Sequence, residues 1–215
     1  MAEPSRRVVV VDYGLGNLFS VARALAAAGG TPSLSSDPDE IVRAERLVLP
    51  GVGAFGDGMQ GLRERGLVEP LKAYAGTGRP LIGLCLGMQL LLTSGDEFGL
   101  HEGLGLIPGR VALLAPKGDD GRPLKMPHIG WNELSPGPRG WGGSPLEGLA
   151  TGSQVYFVHS YAPRPDDEAH ALAYCDYGNS RFCAAVRRDN LSGCQFHPEK
   201  SGPNGLAILS RFLGQ

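Results

Sequence analysis

The chain has 215 residues, 42% hydrophobic and 20% charged, with a formal net charge of -2. That size suits one domain with a sizeable core, expected over residues 1–215, and the near-neutral balance gives no electrostatic ground for binding nucleic acid or an anionic membrane surface. The apolar run after Arg6 and Arg7 is only Val8 to Val11, too short for a signal peptide, and no stretch approaches the roughly 18 apolar residues of a membrane span, so a cytoplasmic protein is expected.

In chain order, "RRVVVVD" (6–12) reads as a strand and "NLFSVARALAAAG" (17–29) as a helix ended by Gly29-Gly30. "RLVLP" (46–50) reads as a strand, "GLRERGLVEPLKAYAG" (61–76) as one helix, "PLIGL" (80–84) as a strand and "LGMQLLL" (86–92) as a helix. Alternation of this kind, with strands apolar on both faces, predicts a mostly parallel sheet covered by helices on both sides. From about residue 104 the pattern changes. "LGLIPGRVALL", "QVYFVHSYA", "HALAYC", "FCAAVRR" and "LSGCQFH" follow one another with turn residues between, which predicts an antiparallel or mixed portion before a last helix, "NGLAILSRFLG". "PKGDDGRPLKMP" (116–127) and "SPGPRGWGGSPLEGLATGS" (135–153) read as surface loops.

The four cysteines, Cys85, Cys175, Cys183 and Cys194, show no C-x-x-C spacing, so reduced thiols are expected, the last three as small buried hydrophobes. Cys85 differs. Gly83-Leu84-Cys85-Leu86-Gly87 has the G-x-nucleophile-x-G form of a sharp strand-to-helix turn that lifts one side chain above a sheet edge. At a helix start the free N–H groups and the dipole favour a thiolate, and the N–H of Leu86 is placed to hydrogen-bond an oxyanion formed by attack of Cys85 on a carbonyl. A buried, inert thiol is the competing reading of five residues.

A cysteine nucleophile profits from a histidine base. Of His101, His128, His159, His170 and His197, only His197 ends an apolar strand with a carboxylate two residues on, Glu199. Pro198 is expected to hold His197 extended, so that Glu199 faces the same way and binds one ring nitrogen. His159, with Tyr161 at the equivalent offset, is expected in a substrate-side or structural role. No pair of His or Cys has metal-ligand spacing, so neither metal nor cofactor is expected. After "RLVLP" comes "GVGAFGDG", which lacks the ending of a P-loop, and "YGLGNLF" lacks the third glycine of a dinucleotide fingerprint. A glycine-rich loop beside the elbow instead suits the second N–H of an oxyanion hole, at Val52 or Gly53.

Together "GLCLGMQ" and "FHPEKS" resemble the cysteine elbow and the His-x-Glu segment of the class I, triad-type glutamine amidotransferases. "DYGLGNL", "LPGVGAF", "PHIGWN" and "YFVHSY" extend the likeness over residues 12 to 201, in the order of those members that serve imidazole glycerol phosphate synthase. The resemblance implies an α/β fold with a mixed, mostly parallel central sheet flanked by helices and an antiparallel portion in the second half. It implies a glutaminase of histidine biosynthesis, in which Cys85, His197 and Glu199 hydrolyse glutamine through a cysteinyl thioester. It further implies that Val52, Gly53 and Leu86 form the oxyanion hole and that Gly51, Gln89, Glu97, His159, Ser160 and Tyr161 line the glutamine site. Here "TSGDEFG" departs from the acidic run of the family, which leaves Asp96 as the alternative to Glu97.

The implied partner is a (β/α)8-barrel cyclase, joined as a heterodimer, that uses the ammonia to make imidazole glycerol phosphate and aminoimidazole carboxamide ribotide. Asn17, Trp131 and Lys200 are implied to face it, and core is the competing reading for Trp131. Free ammonia is protonated and lost in water, and the glutaminase fold is expected to use up the chain, so the acceptor site is expected on another chain. The same resemblance implies that Val52 turns its N–H inward only when the partner binds its own substrate. A glutaminase of another synthase, a stand-alone cysteine hydrolase and a flavodoxin-like binding module are the rival readings.

Overall fold

The computed structural model describes residues 6–215; the part of the signal-peptide expectation that concerns residues 1–5 lies outside them. The first half alternates as β1 (Arg7–Val11), α1 (Leu18–Ala27), β2 (Thr31–Ser35), α2 (Pro38–Arg43), β3 (Leu47–Leu49), α3 (Phe55–Glu64), α4 (Val68–Ala75), β4 (Leu81–Leu84) and α5 (Leu86–Leu90). Strands then dominate: β5 (Leu92–Gly95), β6 (His101–Glu102), β7 (Ile107–Leu113), β8 (His128–Glu133), β9 (Ser135–Pro136), β10 (Gln154–His159), β11 (Tyr161–Pro165), β12 (Ala171–Tyr177), β13 (Ser180–Arg188) and β14 (Leu191–Cys194), before α6 (Gly202–Leu213).

The central sheet has the order β2-β1-β3-β4-β14-β13-β12-β9. Its first five strands pair in parallel and its last four pair antiparallel, meeting at β14. Along each strand alternate residues share a face and successive ones serve opposite faces. Val8, Val10, Val48, Ile82 and Leu84 pack on the side of α1 and α6, while Val11, Leu47, Leu49 and Leu81 pack with α3, α4 and α5. That two-sided burial explains why these strands read as unbroken apolar runs. Two smaller sheets, β10-β8 and β11-β7-β5-β6, flank this frame.

Several elements depart from the sequence expectation. The helix read over 61–76 is two helices, because Gly66 takes φ +66° between α3 and α4. The helix read over 86–92 stops at Leu90, since Leu92 joins a ladder opposite Ile107 that no local propensity announces. α3 begins at Phe55, inside the stretch read as loop, and β2 and α2 had no distinct signal. "QVYFVHSYA" divides at Ser160 between two sheets. The segment 135–153 is more than a surface loop, for Trp141 and Leu146 are buried in the core and the Trp141 indole donates to Leu172 O at 3.0 Å.

Candidate active site

β3, β4 and β14 are adjacent and parallel, with Leu49 opposite Gly83 and Cys194 opposite Leu84. Their carboxyl ends therefore open at one edge of the sheet, where α/β proteins of this kind place ligands. The loops leaving them carry Gly51 to Gly53, Cys85 and His197.

Cys85 lies between β4 and α5 with φ 53° and ψ -111°, a conformation that costs a non-glycine residue roughly 1–3 kcal/mol. Its neighbours explain how the turn is tolerated. A Cβ at Gly87 would stand 1.8 Å from Leu49 O, and one at Gly83 would stand 2.6 Å from Gly87 O. Only glycine lets β3, β4 and α5 approach so closely, and Cys85 N completes the turn by donating to Cys194 O at 2.7 Å.

His197 follows β14 in extended conformation, with its N–H donating to Tyr156 O at 2.9 Å and its carbonyl accepting from Ser201 Oγ at 2.6 Å. Its Nδ1 lies 2.8 Å from Glu199 Oε1. The two side chains do not face the same way along a strand, as the sequence reading had it. Residues Pro198–Lys200 form a turn of 3-10 helix that swings Glu199 back toward the ring. Burial opposes a charge on the imidazole, but Cys85 and Glu199 outweigh it and push the His197 pKa up to about 9. Nε2 is buried and makes no hydrogen bond of ordinary geometry, leaving it available to the thiol or to a reacting atom.

A cleft of about 220 Å³ joins these groups. It is lined by Val52, Gly53, Cys85, Leu86, Gln89, Glu97, His159, Ser160, Tyr161, His197 and Lys200, and also by Val158. Glu97 lines it and Asp96 does not, and Glu97 Oε2 accepts from Phe55 N at 2.9 Å, a carboxylate at the start of α3. Gly51 lies just behind the cleft, where a Cβ would come within 2.3 Å of Tyr13 Oη, itself donating to Pro50 O at 2.8 Å. Burial, and then the charge of Cys85, push the Tyr13 phenol up, so it stays a donor.

His159 is not placed to act as a base. Its Nδ1 meets Tyr161 O at 2.9 Å, its Nε2 faces His128 Nδ1 at 3.3 Å, and burial lowers its pKa to about 3. Cys175, Cys183 and Cys194 are buried, and burial pushes the Cys175 and Cys183 thiols up to about 12 and Cys194 higher still. Outside the cleft, Trp131 is 53% exposed and meets the Tyr156 ring edge-on at 6.0 Å, while Lys200 Nζ lies 5.9 Å above the same ring. Trp131 is therefore not a core residue. Asn17 caps α1, which packs against the turn bearing Lys200. Two residues of the region escaped the sequence reading, Tyr13 and Gln195; the one signal for Gln195 is a polar residue inside the apolar run "LSGCQFH".

The model of the family described as glutamine amidotransferase class-I matches residues 9–215. The chain belongs to the class I glutamine amidotransferases. Among these amidotransferases it is 49% identical to "Imidazole glycerol phosphate synthase subunit HisH 1" of Legionella pneumophila (strain Lens), over 96% of this chain and 98% of that one. It is 48% identical to "Imidazole glycerol phosphate synthase subunit HisH" of Geobacter sulfurreducens, over 96% and 97%. The amidotransferase fold is matched by the structure of PurLQS from Thermotoga maritima, with a TM-score of 0.71 at 21% identity over 98% of both chains. A structure described as glutamine amidotransferase matches with 0.70 at 20% identity, over 96% of this chain and 99% of the other.

Proposed function

We propose that this amidotransferase is the glutaminase subunit of imidazole glycerol phosphate synthase, in histidine biosynthesis, and that residues 1–215 act as one glutaminase domain. The observation that carries the chemistry is the strained Cys85 sharing a cleft with an imidazole held by Glu199. Cys85 attacks the side-chain carbonyl of glutamine, and the oxyanion is met by the N–H of Leu86 with that of Val52 or Gly53. The His197 imidazolium gives its proton to the leaving nitrogen, and water attack on the thioester returns the thiolate and glutamate. Glu199 fixes the tautomer of His197 and supports its charge.

Gln89, Glu97, His159, Ser160 and Tyr161 hold the substrate, with Glu97 rather than Asp96 meeting its amino group, and Gly51 gives the loop its close approach. Ammonia passes to a (β/α)8-barrel cyclase docked as a heterodimer over Asn17, Trp131 and Lys200, where a half-exposed tryptophan set against Tyr156 suits an interface anchor. The HisH relatives support that assignment of pathway over a glutaminase for another synthase. The test is ammonia release from glutamine by the chain alone, with the cyclase, and with the cyclase and its ribotide substrate. A rate that rises at each addition supports the reading; a full rate from the isolated chain contradicts the dependence on a partner.

A further inference from the structure

Gln195 follows the last residue of β14 and is wholly buried. A buried amide must place two N–H donors and one carbonyl. Its Oε1 accepts from Gln89 Nε2 at 2.9 Å, and its Nε2 lies 3.8 Å from Cys85 Sγ. Gln89 Nε2 also donates to Tyr161 O at 3.0 Å. That last bond orients the whole series, because a main-chain carbonyl can only accept. The amide of Gln89 must turn its NH2 toward Tyr161 and Gln195, so Gln195 must give its oxygen to Gln89 and its NH2 to the sulfur.

A thiol accepts a hydrogen bond weakly, whereas a thiolate is an ionic acceptor and the bond is correspondingly stronger. An N–H fixed against the sulfur thus favours the ionised form and holds it in place. We propose that Gln195 is a further catalytic residue, whose side-chain N–H holds the Cys85 sulfur as a thiolate aimed into the cleft. The inference rests on the reading of Cys85 as nucleophile given above. As the sulfur pair forms the C–S bond, the carbonyl π pair moves to oxygen and the Gln195 bond weakens. The carbonyl then re-forms, the C–N bond breaks, and nitrogen leaves as ammonia with the proton of His197. When water adds, giving a proton to His197, the C–S bond breaks and the returning thiolate regains the Gln195 N–H.

Gln195→Glu keeps the shape and the oxygen facing Gln89 but removes the donor; Gln195→Met removes both. The first reading is the pH dependence of iodoacetamide alkylation of Cys85 in the full chain, located by peptide mass spectrometry, Cys85 being the one cysteine of the four that lines the cleft. The midpoint moves up by about one pH unit or more in Gln195→Met and further in Gln195→Glu. In the assembled synthase, kcat for glutamine falls about 10- to 100-fold in both variants, with little change in KM in Gln195→Glu, which keeps the oxygen that orients Gln89. A third reading needs no variant: in the wild-type chain with 15N-labelled glutamine, a Gln195 side-chain N–H resonance moves downfield as Cys85 ionises and returns when it is alkylated.

Folded variants with the wild-type alkylation midpoint, or a Gln195 resonance indifferent to the state of Cys85, overturn the inference. The alkylation and resonance readings require no turnover. A wild-type synthase that released no ammonia would therefore sink the proposed function and leave the test of Gln195 standing.

Discussion

His197 Nδ1 and Glu199 Oε1 lie 2.8 Å apart with both side chains sealed from water, at 5% and 2% exposure. At that distance and burial the carboxylate favours the imidazolium strongly, and together with Cys85 it overcomes the cost of burying the charge. Because folding raises the affinity of His197 for its proton, the associated stability is fully present below its ordinary pKa of about 6.5 and is lost as pH rises through about 9. A rate that needs the imidazolium as proton donor falls over the same upper limb. Glu199→Gln is expected to lower kcat by about 10²- to 10⁴-fold and to move that limb to lower pH, in a pH profile of the assembled synthase. An unchanged limb would assign the carboxylate no part in holding the proton.

Gly87 and Gly53 separate two reasons for glycine. A Cβ at Gly87 would overlap Leu49 O, where backbone cannot retreat, whereas one at Gly53 meets nothing within 4 Å and suffers only from φ +99°. Urea denaturation should therefore show Gly87→Ala destabilised by about 3 kcal/mol or more and Gly53→Ala by only about 1–2 kcal/mol. Equal losses would mean that the elbow is less tightly set against β3 than its contacts require.

Tyr13 ties β1 to the loop after β3 through the bond from its hydroxyl to Pro50 O. Tyr13→Phe leaves a buried carbonyl without that donor, an expected loss of about 1–3 kcal/mol in urea denaturation. Since Gly51 sits directly against the hydroxyl and precedes Val52, glutamine turnover should fall as well. A variant with wild-type stability and rate would show that the loop is held by other contacts.

Trp131 gives the interface reading its sharpest check. It is half exposed and contributes little to the core, so Trp131→Ala should leave the melting temperature nearly unchanged. Loss of a buried aromatic anchor costs about 2 kcal/mol or more at an interface. Titration calorimetry should then show the cyclase bound about 30-fold or more weakly. Unaltered affinity would move the docking face elsewhere.

The sequence was most legible where local chemistry and fold agree. β1, β3 and β4 are short apolar runs because both faces of each are covered, and α1 carries its own cap in Asn17 and its own stop in Gly29-Gly30. Gly83 and Gly87 marked the elbow because a side chain at either would strike the chain passing behind it. What escaped was fixed by distant partners. Leu92 looks like the end of a helix until Ile107 pairs with it, and Trp141 lies in a stretch rich in Gly and Pro yet fills the core. Gln195 was hidden for the same reason, its partners Gln89 and Cys85 being 106 and 110 residues away. The 3-10 turn that brings Glu199 to His197 did have a local signal in Pro198, which opens the turn at its first position but reads equally well as a residue that keeps His197 extended.

The central claim is that the sulfur of Cys85 takes the acyl group of glutamine, with His197 and Glu199 managing the proton. Acid quenching of the assembled synthase during turnover, followed by mass spectrometry of the peptide bearing Cys85, tests it most directly. The account predicts a γ-glutamyl adduct on Cys85 that accumulates with glutamine, together with loss of ammonia release in Cys85→Ala. Turnover with the adduct on another residue, or undiminished ammonia release from Cys85→Ala, would contradict it.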